Sequence, residues 1–240
     1  MTAVPEAVTR LRSMVLAPPS SPNSDDWLLC GRFELTDAEY RGLSDPRLAE
    51  APATWLDADE AQAWLEERGL RLPSVEEWVR LAGVDTSEPL RRSPGLPVSA
   101  NTLELGLGRA LPVGVFERGR TPLGAYDFFG NVWEMTLPRE DGRVEALGGS
   151  FAAHPVGVRA VDRLVVERRD RAVDLGVRYV ADAVPYLKER VEPVWRDAPE
   201  AVVAALEEAF GWWREDLRRG LADALEAAGC DPAFCAAFRR

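Results

Sequence analysis

The stretch Leu123-Gly124-Ala125-Tyr126-Asp127-Phe128-Phe129-Gly130-Asn131-Val132-Trp133-Glu134-Met135-Thr136 constrains this chain more than any other. It shows neither a sustained helical period nor a strict strand alternation. Its glycines permit positive φ or close backbone approach. Its aromatics supply core volume, and the indole N–H of Trp133 requires a partner. A backbone wound in tight turns lacks a ladder for its amides, so buried polar groups must anchor it. Glu134, and Arg178 further on, are the residue types for that work.

Three more blocks frame the stretch. They are Arg71-Leu72-Pro73-Ser74-Val75-Glu76-Glu77-Trp78 upstream, with Gly148-Gly149-Ser150-Phe151 and Gly176-Val177-Arg178-Tyr179-Val180 downstream. Ser74 and Glu77 form a capping box, predicting a helix to about Ala82 with Trp78 and Leu81 inward. Asp57 is an N-cap for a helix to Arg68, with Ala61, Trp64 and Leu65 on one face and Gly69 at its end. Thr36 or Asp37 caps a further short helix. Strands are expected at Trp27–Cys30, 111–116, 144–147 and 177–180, and an extended segment at 158–166. Between 199 and 229, Val203, Leu206, Phe210, Trp213, Leu217, Leu221 and Leu225 recur every three or four residues. That spacing predicts an amphipathic helix, kinked or split at Gly211 and Gly220. Gly229 ends it, and Asp231-Pro232 starts a last short helix.

Taken in order, the four blocks resemble the formylglycine-generating enzyme, or sulfatase-modifying factor, family. The resemblance covers roughly Val15 to Val180. It implies an α+β fold, an irregular formylglycine-generating-enzyme-like variant of the C-type lectin fold. The family core ends near the Gly-Val-Arg block, so the expected division is a domain over 1–184 and a helical C-terminal appendage over 185–240.

The residues that carry the family's chemistry are missing. Formylglycine-generating enzymes bind copper through two cysteines after the Gly-Gly-Ser-aromatic block. Ala153 and Val158 match those positions, and neither supplies a thiolate. Cys30, Cys230 and Cys235 lie outside the matching region; Cys230 and Cys235 read as small apolar residues. A second branch of the family binds iron through several histidines, and His154 is the single histidine here. No cofactor is therefore expected from the residues themselves. The resemblance does imply one calcium site, with side-chain oxygens of Asp127 and Glu134 and carbonyls of Gly130 and Val132; hard oxygen donors suit that ion. The alternative is a loop pinned by hydrogen bonds alone.

The leading expectation is a non-catalytic binding or scaffold protein, a pseudoenzyme. By analogy with the family it would be an accessory subunit of a bacterial multi-protein, defence-type system. Phe151, His154, Arg159, Trp212 and Trp213 are the candidate ligand- or partner-binding residues, through the lectin-like cleft or the C-terminal helices. The alternatives are a divergent oxidase-like enzyme, resembling the pyoverdine-maturation oxidases and using Glu134, His154 and Arg159 as acid–base groups, or a sensor of a small ligand or peptide. The formal net charge of -11 argues against direct nucleic-acid binding. Arg159, Arg163, Arg168, Arg169 and Arg171 sit among acids and read as a self-paired surface. No apolar run reaches membrane-spanning length, no signal peptide is evident, and the cytoplasm is the expected compartment.

Overall fold

The computed structural model describes residues 5–21, 24–43, 45, 50–83, 99–153 and 163–240. Along the chain come α1 (Glu6–Arg10), β1 (Met14–Ala17), β2 (Leu28–Gly31), α2 (Asp37–Arg41), α3 (Ala58–Glu66) and α4 (Val75–Ala82). Then come β3 (Trp133–Met135), β4 (Arg143–Leu147), β5 (Arg163–Glu167), β6 (Leu175–Val177) and β7 (Val180–Asp182). The last are α5 (Ala183–Tyr186), α6 (Glu192–Asp197), α7 (Pro199–Phe210), α8 (Glu215–Ala227) and α9 (Pro232–Ala237). Short strands, long irregular connections and a helical C-terminal region make this the expected α+β class.

The chain forms two compact units. One gathers Met1–Arg32, Arg68–Leu70 and Val180–Arg240; the other gathers Phe33–Glu67 and Arg71–Tyr179. The boundary expected at 184/185 falls inside the first unit, within α5.

In the first unit an antiparallel sheet runs β1-β2-β7. All residues of β1 and β2 are buried, so both faces of these strands are covered. The core joins Leu11, Met14, Leu16, Leu28 and Leu29 with Leu206, Trp213, Leu221, Leu225, Phe234 and Phe238 from the C-terminal helices. The expected long helix is split: α7 ends at Phe210 and α8 starts at Glu215. Gly220, by contrast, stays inside α8. A Cβ there would lie 2.9 Å from the Trp27 ring, so the missing side chain makes room for an indole. β1 was not anticipated, because Met14-Val15-Leu16-Ala17 is a continuous apolar run with no alternation to mark it.

In the second unit the sheet order is β5-β4-β3-β6, with β3 and β6 parallel and the other pairs antiparallel. α2, α3 and α4 each open on a complete capping box: Thr36 with Glu39, Asp57 with Glu60, and Ser74 with Glu77. These satisfy amides that a short helix otherwise leaves bare. Two expected strands differ. Residues 111–116 form a turn in which Gly114 takes φ +76 against the Phe33 ring. The run 177–180 is broken, because β6 ends at Val177, Arg178 turns into the core, and β7 starts at Val180 in the other sheet. β5 covers the last part of the extended segment expected at 158–166; positions 158–162 lie outside the described residues.

Candidate functional site

The glycine–aromatic stretch ends on β3, whose central residue is Glu134. It is fully buried and holds Arg178, which is also fully buried. Arg178 Nη2 lies 2.6 Å from Glu134 Oε1, and Arg178 Nε lies 3.1 and 3.0 Å from the two oxygens. The Trp78 indole N–H donates to Glu134 Oε2 at 2.7 Å. Arg178 Nη2 also donates to the Tyr126 carbonyl at 2.7 Å, and its guanidinium sits 4.1 Å over the Phe128 ring. Three of the four sequence blocks thus meet on one carboxylate. The fourth closes on the same stretch: Gly130 N–H donates to Gly148 O at 2.9 Å, and Phe151 N–H donates to Asn131 O at 2.9 Å.

A second buried carboxylate belongs to this network. Glu34 accepts from Asn131 Nδ2 at 2.8 Å and from the Val132 N–H at 3.3 Å. Asn131 Oδ1 accepts from Leu111 N–H at 2.9 Å and Asn101 Nδ2 at 3.0 Å. Asn101 Oδ1 itself is buried with no partner among the described residues. Asp127 Oδ2 accepts from Gly114 N–H at 2.5 Å. Asp127 and Asn131 take φ +59 and +61, a region open to Asp and Asn at modest cost. Each spends that conformation on aiming its side chain at a loop amide.

Glu34, Asp127 and Glu134 therefore share one guanidinium, and the electrostatics follow. Burial pushes the Glu34 carboxyl well above its ordinary range; the charges of Asp127 and Glu134 push the same way, against Arg178 and Asn131. Burial also raises Asp127, opposed by the Gly114 amide and Arg178. Protonation of one carboxyl, which these shifts favour, relieves the excess negative charge.

The calcium set of Asp127, Gly130, Val132 and Glu134 does not fit this arrangement. Calcium needs carboxylate oxygens at about 2.3–2.6 Å. Both oxygens of Glu134 are already engaged by the guanidinium and the indole, and a divalent ion there would sit against Arg178. Asp127 spends an oxygen on Gly114. Among the described residues no group of three or more His, Cys, Asp or Glu is placed to hold a metal.

Of the expected partner-binding residues, Phe151 is a core side chain, 6% exposed. Trp213 is 3% exposed, and its indole N–H donates to the Met14 carbonyl at 2.9 Å. Both side chains are packed within the protein. Trp212 is half-buried with the Arg32 guanidinium 3.3 Å over its ring. His154 and Arg159 lie outside the described residues. The arginine-rich stretch is paired, but with acids from elsewhere: Arg163 with Glu145, Arg168 with Asp59, and Arg171 with Asp57 and Glu60. Val203, Leu206, Glu207, Phe210, Ala237 and Arg240 line a cavity of about 40 Å³. Small-molecule sites occupy about 300–1,000 Å³, so this one suits nothing larger than water.

Glu34 was not singled out in advance. Glu34 meets its partners 97 and 98 positions away, and no local pattern marks such a residue.

This anchored glycine–aromatic core defines a class of domain. Residues 33–183 match the family model described as the sulfatase-modifying factor enzyme 1-like domain, and the chain belongs to that family. Among solved structures it is similar to PvdO from Pseudomonas aeruginosa, at 17% identity and TM-score 0.56, over 70% of this chain and 90% of that one. It is also similar to Treponema denticola variable protein 1, at 15% identity and TM-score 0.53, over 71% and 93%. At these identities the likeness is one of fold. No curated protein matches the chain in sequence. No described helix is long and apolar enough to cross a membrane.

Proposed function

We propose that this chain is a non-catalytic binding or scaffold protein, a family domain that keeps the structural core and has lost the reactive groups. It would act as an accessory subunit of a bacterial multi-protein, defence-type assembly through protein–protein contacts. One observation carries the reading. Glu134, a candidate acid–base group, is sealed from solvent with both oxygens satisfied by Arg178 and Trp78. A general base must reach the proton it takes, and this carboxylate reaches none. Ala153, where the resemblance puts a catalytic cysteine, instead serves the backbone: its N–H donates to Ser150 O and its carbonyl accepts from Leu103 N–H. We further propose that Asp127 and Glu134 are satisfied by protein donors alone, Gly114, Arg178 and Trp78, and hold no calcium.

Two measurements on the purified full chain test this. Elemental mass spectrometry should find no stoichiometric copper, iron or calcium. Incubation with copper, oxygen and a cysteine-bearing sulfatase peptide should leave the peptide mass unchanged. Bound copper or iron, or conversion of the cysteine to an aldehyde, would overturn the non-catalytic reading. One calcium per chain would overturn the reading of Asp127 and Glu134 as satisfied by protein donors alone.

A further inference from the structure

β5 is the outer strand of its sheet, and no described strand pairs with its far edge. The backbone groups on that edge can be assigned from β4. Thr136 N–H donates to Glu145 O at 2.9 Å, and Arg139 N–H donates to Arg143 O at 2.8 Å. Residues 143 and 145 thus spend their backbone groups on the side away from β5. An antiparallel ladder alternates, so Val144 and Ala146 bond to β5, through their register partners Val166 and Leu164. The N–H and C=O groups of Arg163, Val165 and Glu167 consequently point outward. The Glu167 N–H agrees: it donates to Asp170 Oδ2 at 2.8 Å instead of to the ladder.

This open edge is apolar in its middle, with Leu164 38% and Val165 45% exposed. Native edge strands are commonly blunted by lysine, proline or a bulge, and Arg163-Leu164-Val165-Val166-Glu167 carries no lysine or proline. The sequence is also complementary to itself. Laid antiparallel on a second copy about Val165, Arg163 opposes Glu167, Leu164 opposes Val166, and Val165 opposes Val165.

We propose that β5 is the interface of a homodimer, in which two copies pair this edge antiparallel about a two-fold axis at Val165 and join their sheets into one. The outward groups have the parity this requires: the two Val165 residues exchange both N–H···O bonds. The Glu167 carbonyl already accepts the Asp170 N–H at 3.0 Å, so the Arg163 N–H of the second copy joins it only as a second donor and the ladder is centred on the Val165 pair. Asp170 holds both backbone groups of Glu167, taking its N–H with the carboxylate and donating to its carbonyl, so the pairing ends there. Side chains 163, 165 and 167 share one face. The Arg163 guanidinium, 2.8 Å from Glu145 on its own chain, would therefore also receive the Glu167 carboxylate of the second copy. A palindrome of charge serves a second copy and gives no advantage with an unrelated strand. Opposite charges set across a strand pair favour this register, and like charges oppose it.

Sedimentation equilibrium of the full chain over a broad concentration range tests the proposal. The wild type should show a monomer–dimer equilibrium. R163E and E167R should each weaken the dimer about tenfold or more, because each sets like charges opposite one another. The double variant R163E/E167R should bind more tightly than either single variant, yet below wild type, because the new carboxylate at position 163 then faces Glu145 on its own chain. V165P should be monomeric yet folded, since the N–H it removes takes no part in the β4 ladder; circular dichroism and the thermal midpoint check the fold. A wild type that is monomeric throughout, a dimer that survives V165P, or a double variant that binds no better than either single variant would each overturn it. So would pairing of this edge with a different protein while the chain alone stays monomeric.

Discussion

Arg178 Nη2 lies 2.6 Å from Glu134 Oε1 in a core that leaves the arginine fully buried and the glutamate side chain 1% exposed. Removing one partner strands the other charge away from water, which costs about 3–5 kcal/mol. E134Q and R178M should each lose that much in urea unfolding, or fail to fold. The double variant E134L/R178M should be more stable than either single, because it leaves no unpaired charge, yet stay below wild type, because the Trp78 N–H and the Tyr126 carbonyl lose their bonds to Glu134 and Arg178. Trp78→Phe keeps the ring and drops one charge-assisted donor, so its loss should be smaller, about 1.5–3 kcal/mol. If the double variant is no better than the singles, the pair does more than cancel charge.

Glu34 should make stability fall as the solution turns alkaline. Its carboxyl is raised in the folded state above the ordinary value of 4.5. The folded protein therefore holds the proton more tightly than the unfolded chain. The stabilisation is fully present below about pH 4.5 and is lost as pH rises through the folded-state value. Asp127, also raised, acts in the same direction. E34Q removes the titrating group and should flatten that alkaline decline, at a cost near pH 5 because its NH2 cannot accept as a Glu34 oxygen does from Asn131 Nδ2 or the Val132 N–H. The check is the denaturation midpoint of both proteins from pH 5 to 9. An E34Q curve parallel to wild type would show that Glu34 is not the group that titrates.

Stability in this fold was legible wherever chemistry is local. The boxes at Asp57 and Ser74, with glutamates three residues on, announce α3 and α4 from side chains close in sequence. At Ser74 the box also recruits Arg71: burial works against the Glu77 charge, but the guanidinium, 2.7 Å from each oxygen, outweighs it and the carboxyl is lowered. The four blocks gave the family for the same reason, since each is a short run with fixed spacing. Glu34 was not legible, because nothing beside it in the chain explains a buried acid. β1 was not legible either, because an apolar run with no alternation does not declare a strand. Trp213 was legible as an apolar-face residue from its spacing, but its hydrogen bond to Met14, 199 positions away, was not.

Gly220→Ala sets two expectations against each other. Glycine inside a helix costs about 0.5–1 kcal/mol relative to alanine, so propensity alone predicts a more stable α8. The new Cβ would lie 2.9 Å from two carbons of the Trp27 ring, and Trp27 is itself buried. Overpacking of that kind costs about 1–3 kcal/mol. Contact should win, and the thermal midpoint should fall. The pair Trp27→Leu with Gly220→Ala should regain part of the loss, because the shorter side chain vacates the space.

Deleting residues 185–240 should not release a stable domain. β1 and β2 are buried on both faces, and the C-terminal helices supply Leu206, Trp213, Leu221 and Phe238 to the same core. The Met14 carbonyl would lose the Trp213 indole, and strands made of Met14, Val15, Leu16, Leu28 and Leu29 would face water. Exposed apolar strands pair with one another between chains, so the truncated protein should aggregate on expression. Trp212→Ala is the companion variant. It removes only the ring under the Arg32 guanidinium, a contact worth about 0.5–2 kcal/mol, and should remain soluble with a slightly lower midpoint. A soluble, cooperatively folding 1–184 fragment would mean that these helices are a detachable docking element and that the first unit does not need them.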